Sequence, residues 1–294
     1  MNLFDIAIRI MERGKQSIEW RTRNLRHKNI NKKRELNEAD WNFLKQNYPE
    51  TFYERVRERD RRLCKMISAE QVVLTGPFKG MKFPNMNIDE HTLVPKILGS
   101  YESELHQIFN EVSNTSYNEI INIGCAEGYY AVGLARNIPD ATVFAYDTNE
   151  HSLEVCRQMA RTNHVDDRIE LRGFCSAETL ARFPFRGRTL ILCDCEGYER
   201  ELFDDSAVPH LSTCDLLIEM HDCFYPGITS AILTRFALTH HLKVVSTRDK
   251  PTLTYPELGV LNDAERKIAL CDNRGSVGEV IFMEWAWLKA KANN

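Results

Sequence analysis

The chain has 294 residues, 43% of them hydrophobic and 27% charged, with a formal net charge of −4. That composition belongs to an ordinary globular protein with a proper core, either one large domain or a domain with a substantial appendage. It gives no reason to expect nucleic-acid binding by the chain as a whole. No apolar run approaches a membrane span, and the N-terminus lacks a signal peptide's apolar core and cleavage site. The first 35 residues are basic, with ten Lys/Arg against four Asp/Glu, and Arg21, Arg23, Arg26, Lys28, Lys32, Lys33 and Arg34 crowd together. Leu3, Phe4, Ile6, Ile8, Ile10 and Met11 have helix-like character that extends to Ile18. A second helical block is expected from Asn37 to Ile67, broken or restarted at Pro49. Residues 71–84 read as a short hairpin around Gly76-Pro-Phe-Lys-Gly80. Leu98-Gly-Ser-Tyr-Glu-Ser-Glu-Leu105 opens a helix running to about Val112.

From there strands and helices alternate. Strands are predicted at 119–123, 142–146, 168–172, 189–194, 214–220, 242–246 and 278–284. Helices are predicted at 128–137, 150–162, 198–204 and 227–240. Such alternation implies an α/β fold, a mostly parallel, doubly wound sheet covered on both faces. The connection 247–277 is long and rich in Pro, Gly and polar residues, which marks it as a functional segment. The chain therefore divides into an N-terminal helical extension (1–70), a hairpin and lead-in helix (71–118) and a nucleotide-binding domain (119–294). The nine cysteines form no Cys-x-x-Cys pair and mostly sit in apolar strands, as in Cys125, Cys193, Cys195 and Cys214. They read as reduced, buried thiols of a cytoplasmic protein.

The most informative stretch runs from Ile120 to Thr148. An apolar strand enters the turn Gly124-Cys125-Ala126-Glu127-Gly128, a helix begins at Tyr129, and a second strand ends in Asp147. This is a β-α-β nucleotide-binding unit, with glycines where the backbone must approach a ligand. Asp147 lies nineteen residues after Gly128, where a carboxylate can accept both hydroxyls of a ribose. A dinucleotide fingerprint needs a third glycine so that a pyrophosphate can sit on the helix N-terminus. It is missing here, which favours a ligand without phosphates, such as S-adenosylmethionine (SAM), over NAD.

In a sheet of this kind ligands bind beyond the carboxyl ends of the strands. The rim so defined carries Gly124 to Gly128, Asp147-Thr148, Phe174-Cys175-Ser176, Asp194-Cys-Glu-Gly-Tyr-Glu199 and Glu219-Met-His221-Asp222. Asp194 and Glu196 are two apart, as are Glu219 and His221, so each pair can point the same way. Methyl transfer to a hydroxyl needs alignment and removal of a proton. His221 is the side chain matched to that task near neutral pH, with Glu196 or Glu219 orienting it or serving instead. Glu199, in the first turn of a helix, suits a capping carboxylate as well as a site role. Asp194, Glu196, Glu219 and His221 could also hold a divalent metal, although nothing in the spacing demands one and none is assigned.

Asn122-Ile-Gly-Cys-Ala-Glu-Gly-Tyr-Tyr-Ala131, followed by Asp194-Cys-Glu-Gly-Tyr-Glu199 and Ile218-Glu-Met-His221, resembles the FkbM-type branch of class I SAM-dependent methyltransferases. The resemblance covers roughly residues 95–285. It implies a Rossmann-like seven-stranded sheet with its last strand antiparallel. It also implies O-methylation of a hydroxyl on a small-molecule or sugar acceptor. On its motifs, Gly124 to Gly128 (with Tyr129 beyond) would cradle the methionine part of SAM, Asp147 and Thr148 the ribose, and Cys175-Ser176 the adenine edge. Asp194 would face the amino-acid end and the reaction centre. Asn122 stands where the family usually has Asp, which weakens a carboxylate-mediated hold on the SAM amino group.

Two other functions compete. One is a catalytically silent SAM-binding module that assembles, as a homo-oligomer, through its N-terminal helices. The other is an RNA or protein methyltransferase using the basic N-terminal segment. A nicotinamide oxidoreductase is disfavoured by the missing glycine.

Overall fold

The computed structural model describes residues 20–33, 36–84, 92–246, 255–272 and 284–291. The helix expected up to Ile18 lies outside them, as does Arg34. The chain divides into two units, residues 1–59 and 60–294, and the boundary falls inside a helix.

In the first unit, residues 20–31 form α1 and Glu38–Asn47 form α2. Asn37 caps α2 by accepting the N–H of Asp40. Helix α3, Pro49–Ile67, begins at the expected proline, because Pro costs nothing at a first helical position whose N–H has no partner in the helix. Ile30 and Leu44 are buried, His27 stacks on Tyr48 at 3.8 Å, and Tyr48 Oη donates to Asn24 at 2.8 Å. Arg21, Arg23, Arg26, Lys28, Lys32 and Lys33 are exposed.

The second unit holds a seven-stranded sheet in the order β3-β2-β1-β4-β5-β7-β6. The strands are β1 Glu119–Ile123, β2 Thr142–Tyr146, β3 Ile169–Arg172, β4 Thr189–Cys193, β5 Asp215–Met220, β6 His240–Ser246 and β7 Glu284–Ala290. β7 runs antiparallel to both β5 and β6 and the other pairings are parallel. This is the Rossmann-like sheet expected from the resemblance. β1, β4 and β5 are buried along their whole length, so their apolar residues run continuously rather than alternating.

Two cores lie on opposite faces. Ile120, Val143, Leu190 and Leu217 belong to one, which takes in α4 (Leu93–Leu98), α5 (His106–Ser113), α6 (Tyr129–Asn137), α7 (Glu150–Thr162) and part of α11 (Asp263–Leu270). Ile121, Ile123, Phe144, Ile191, Leu216 and Ile218 belong to the other, with α8 (Ala177–Ala181), α9 (Glu199–Leu202) and α10 (Ile228–Phe236). No helix among the described residues is long and apolar enough to cross a membrane.

Four expectations need correction. Gly99, left-handed at φ 81°, ends α4, so the helix predicted from Leu98 to Val112 is two pieces, with a 3₁₀ turn at Ser103–Leu105 leading into α5. The helices predicted at 198–204 and 227–240 are shorter, because Phe203 and Ala237 already cap them. The final strand is Glu284–Ala290, and the predicted 278–284 meets it only at Glu284, residues 278–283 being outside those described. The connection 247–277 contains helix α11, whose capping box pairs Asn262 with Glu265.

Candidate active site

The turn after β1 is fixed by contact with its neighbours. Gly124 has φ +76°, and a Cβ there would lie 1.6 Å from the carbonyl oxygen of Asp194. Only glycine lets β1 leave the sheet so close to the end of β4. Gly124 and Cys125 both donate their N–H to the Tyr146 carbonyl at 2.9 Å. Asp147, at the end of β2, accepts the N–H of Ala126 on Oδ2 at 2.9 Å and that of Asn149 on Oδ1 at 2.8 Å. Each carboxylate oxygen keeps acceptor capacity beyond these bonds. Gly128 (φ +94°) opens α6, where a Cβ would meet Cys156 Sγ at 2.6 Å.

A cleft of about 280 Å³ opens at the carboxyl ends of β1, β2, β3 and β4. Of the residues singled out by sequence, Gly124, Ala126, Asp147, Thr148, Cys175, Asp194 and Glu196 line it. Phe174, Cys195 and Tyr198, also part of the rim read from the sequence, line it too, and Ile123, Tyr146 and Gly173 complete its walls. They stand on the same strand ends, which is the signal that marks them. Phe174 is 60% exposed and packs against Tyr198 at 5.4 Å. Burial pushes the Cys175 thiol up to about 12, so it lines the cleft as a neutral group.

The other singled-out residues sit around the cleft rather than in its wall. Cys125 and Tyr129 are buried in the core, Tyr129 against Phe78 at 5.2 Å and Tyr101 at 5.7 Å. Glu127 is buried in an ion pair with Lys96 at 2.6 Å. Ser176 caps α8 by accepting the Thr179 N–H. Asn122 is fully buried in β1, and neither polar atom of its side chain has a hydrogen-bond partner.

Beside the cleft the ends of β4 and β5, with the first turn of α9, bring four carboxylates to one imidazole. His221 is 1% exposed. Its Nδ1 lies 2.7 Å from Glu199 Oε1, and its Nε2 is 3.6 Å from Asp194 Oδ1, 3.6 Å from Glu196 Oε2 and 3.7 Å from Glu219 Oε2. Phe224 stacks on the ring at 5.7 Å. Burial works against a charged imidazole, but the hydrogen bond and charge of Glu199, with the charges of Asp194 and Glu196, outweigh it and lift His221 above its ordinary value. Burial likewise opposes ionisation of Glu199, and the His221 contact and the backbone N–H groups of the turn bring it below the usual carboxylate range.

Glu199 is the residue whose place sequence reasoning missed. Its spacing in Asp194-Cys-Glu-Gly-Tyr-Glu199 is compatible with a helix cap. The structure buries it fully and turns Oε1 toward His221, with the N–H groups of Cys195 (3.2 Å) and Gly197 (3.3 Å) on the same oxygen. Glu196 lies in the left-handed region at φ +56°, an uncommon conformation for a residue with a side chain. It projects that side chain, 76% exposed, over the cleft rim.

No family model matches the chain. A stretch of 82 residues, 27% of this chain and 28% of the relative, is 33% identical to the release factor glutamine methyltransferase of Flavobacterium psychrophilum. A stretch of 97 residues, 33% of each protein, is 28% identical to the release factor glutamine methyltransferase of Streptococcus pneumoniae. The chain thus spans 28% and 33% of the lengths of these curated relatives. Among solved structures, a SAM-dependent O-methyltransferase from Thermotoga maritima is similar over 66% of this chain and 67% of its own, at 14% identity and a TM-score of 0.42.

Proposed function

We propose that this chain is a SAM-dependent methyltransferase of the FkbM type that methylates a hydroxyl oxygen of a small-molecule or sugar acceptor. The observation that carries the reading is the charge of the cleft. Its lining includes Asp147, Asp194 and Glu196 and, among the described residues, no Lys or Arg. A pyrophosphate is repelled by such a wall, whereas a cationic sulfonium is drawn to it.

In this reading Gly124 and Ala126 let the methionine portion approach the backbone, while Cys125, Glu127, Gly128 and Tyr129 hold the turn in shape. Asp147 takes the ribose hydroxyls, with Thr148 beside it. Phe174 and Cys175 flank the base, and Ser176 fixes the helix behind them. Asp194 faces the sulfonium. The acceptor oxygen attacks the methyl carbon, the C–S electron pair returns to sulfur, and the C–O bond forms as the hydroxyl proton leaves. Glu196 stands on the rim and receives that proton. His221, held by Glu199 and backed by Glu219, positions Asp194 and Glu196 and balances their charge. Because the transition state loses the sulfonium charge, alignment contributes more than electrostatics here. Exposed Trp20 and Leu25 on α1 make the N-terminal unit the surface for association with a second copy.

The test is calorimetric. S-adenosylhomocysteine (SAH) should bind and NAD should not. Asp147→Ala should lose about 1.5–3 kcal/mol for each hydrogen bond to the charged partner. Unchanged SAH affinity in that variant, or preferential binding of NAD, removes the reading.

A further inference from the structure

His221 is nine-tenths buried and more, yet its Nε2 has no hydrogen-bond partner. Its other nitrogen is committed. Glu199 Oε1 accepts the backbone N–H groups of Cys195 and Gly197 as well as the contact from Nδ1, so when an arriving cation displaces the ring's second proton the remaining hydrogen stays on Nδ1. The lone pair is then on Nε2. It faces Asp194 Oδ1, itself buried without a hydrogen-bond partner, and Glu219 Oε2.

We propose that Asp194, Glu219 and His221 form a binding site for one divalent first-row cation, with Mn²⁺ the best match. The distances of 3.6 and 3.7 Å from Nε2 exceed those of hydrogen bonds, which close at about 2.7–3.2 Å. They suit donors that share an ion. With metal–ligand bonds of about 2.1 Å, adjacent octahedral donors lie about 3.0 Å apart and opposite donors about 4.2 Å apart. The three donor atoms all lie within 4.8 Å of one another, so a small inward movement closes the shell.

Three further features agree. A carboxylate on the far nitrogen, here Glu199, is the arrangement by which metal-binding histidines fix their tautomer. Asp194 follows β4, while Glu219 and His221 sit at the end of β5, and these strands are parallel neighbours in the sheet, so the donors ride on a rigid frame. Asp194 also lines the cleft, which gives an ion a path in and leaves coordination positions toward a ligand. Two carboxylates with one imidazole suit Mn²⁺ better than Zn²⁺, which favours nitrogen and sulfur, or Mg²⁺, which favours oxygen alone. The role that follows, polarising the acceptor oxygen while Glu196 receives its proton, rests on the methyltransferase reading. Binding of the ion does not.

The experiment titrates chelator-treated full-length protein with Mn²⁺ and follows the electron paramagnetic resonance signal of the free ion. One equivalent should be taken up per chain. Glu219→Gln and His221→Gln should each weaken binding by about tenfold or more, while Glu178→Gln, on the exposed face of α8, should bind as the wild type. Because a buried substitution can misfold, pulsed resonance on the wild-type complex supplies a second reading. Nitrogen modulation from a bound imidazole is expected, and its absence overturns the site. So does wild-type affinity in both ligand variants. SAH calorimetry on the same samples separates the two claims. If SAH fails to bind the wild type while Mn²⁺ binds stoichiometrically, the cofactor reading falls and the metal site stands.

Discussion

The turn after β1 and the ends of β4 and β5 share one rim but hold their shapes by different means. The turn is a steric object. Gly124 sits where a Cβ would lie 1.6 Å from the Asp194 carbonyl, and Gly128 where one would lie 2.6 Å from Cys156 Sγ. The acidic end is an electrostatic object, four carboxylates gathered on the buried imidazole of His221. At those two positions the turn has no room for a side chain. The acidic end depends on partners that neutralise one another, so a change at one member is felt by all. In the proposed reaction the first presents the cofactor and the second handles the acceptor, with Asp194 facing the sulfonium between them.

The largest effect expected from this contrast is at Gly124. Gly124→Ala combines a left-handed backbone with a collision against main chain that no side-chain rotation relieves. It should cost more than about 3 kcal/mol of stability, measured by denaturant unfolding, and should abolish SAH binding. A variant that folds and binds SAH normally would show that β4 can retreat from the turn. The steric half of the comparison would then be wrong.

This difference also explains what the sequence made legible. The glycine spacing, the buried strands and Asp147 at a strand end report local backbone demands, so the β-α-β unit reads directly from the chain. The sheet's alternation is legible for the same reason, although Gly99, Phe203 and Ala237 shift the ends of helices. Glu199 is different. Its position in the first turn of α9 is compatible with a cap, and only the packing of that four-residue helix beneath the ends of β4 and β5 brings its Oε1 to His221. The apolar run Val280 to Met283, on which the expected last strand centres, lies outside the described residues. The strand that pairs with β5 and β6 is centred on Trp285 to Leu288, where its register with both neighbours buries two tryptophans.

Glu199→Gln tests the electrostatic half, with a smaller effect. The amide keeps an acceptor for the Cys195 and Gly197 N–H groups but removes the charge that faces the imidazole. Stability should fall by about 2 kcal/mol, the range of a hydrogen bond to a charged group. SAH affinity should stay near the wild-type value, since Glu199 does not line the cleft. Collapse of SAH binding in this variant would mean that the two ends of the rim are one cooperative unit, and the distinction drawn between them would fail.

The smallest effect is expected at Asn122, at the foot of the turn. It is fully exposed to neither solvent nor a polar partner, with both side-chain polar atoms buried and without a hydrogen bond. Its strand neighbours are Ala145 on β2 and Leu192 on β4, an apolar setting in which an unsatisfied amide is a cost. Asn122→Val removes the orphaned groups and places a β-branched residue in a buried strand, at the expense of slight crowding. The net should be a gain of about 1 kcal/mol, read from the denaturation midpoint at unchanged slope. SAH affinity should not move, because the residue lies below the cleft rather than in its wall. A stabilised variant with weakened SAH binding would extend the cofactor's reach down to β1 and would give the buried amide the partner that the protein alone does not supply.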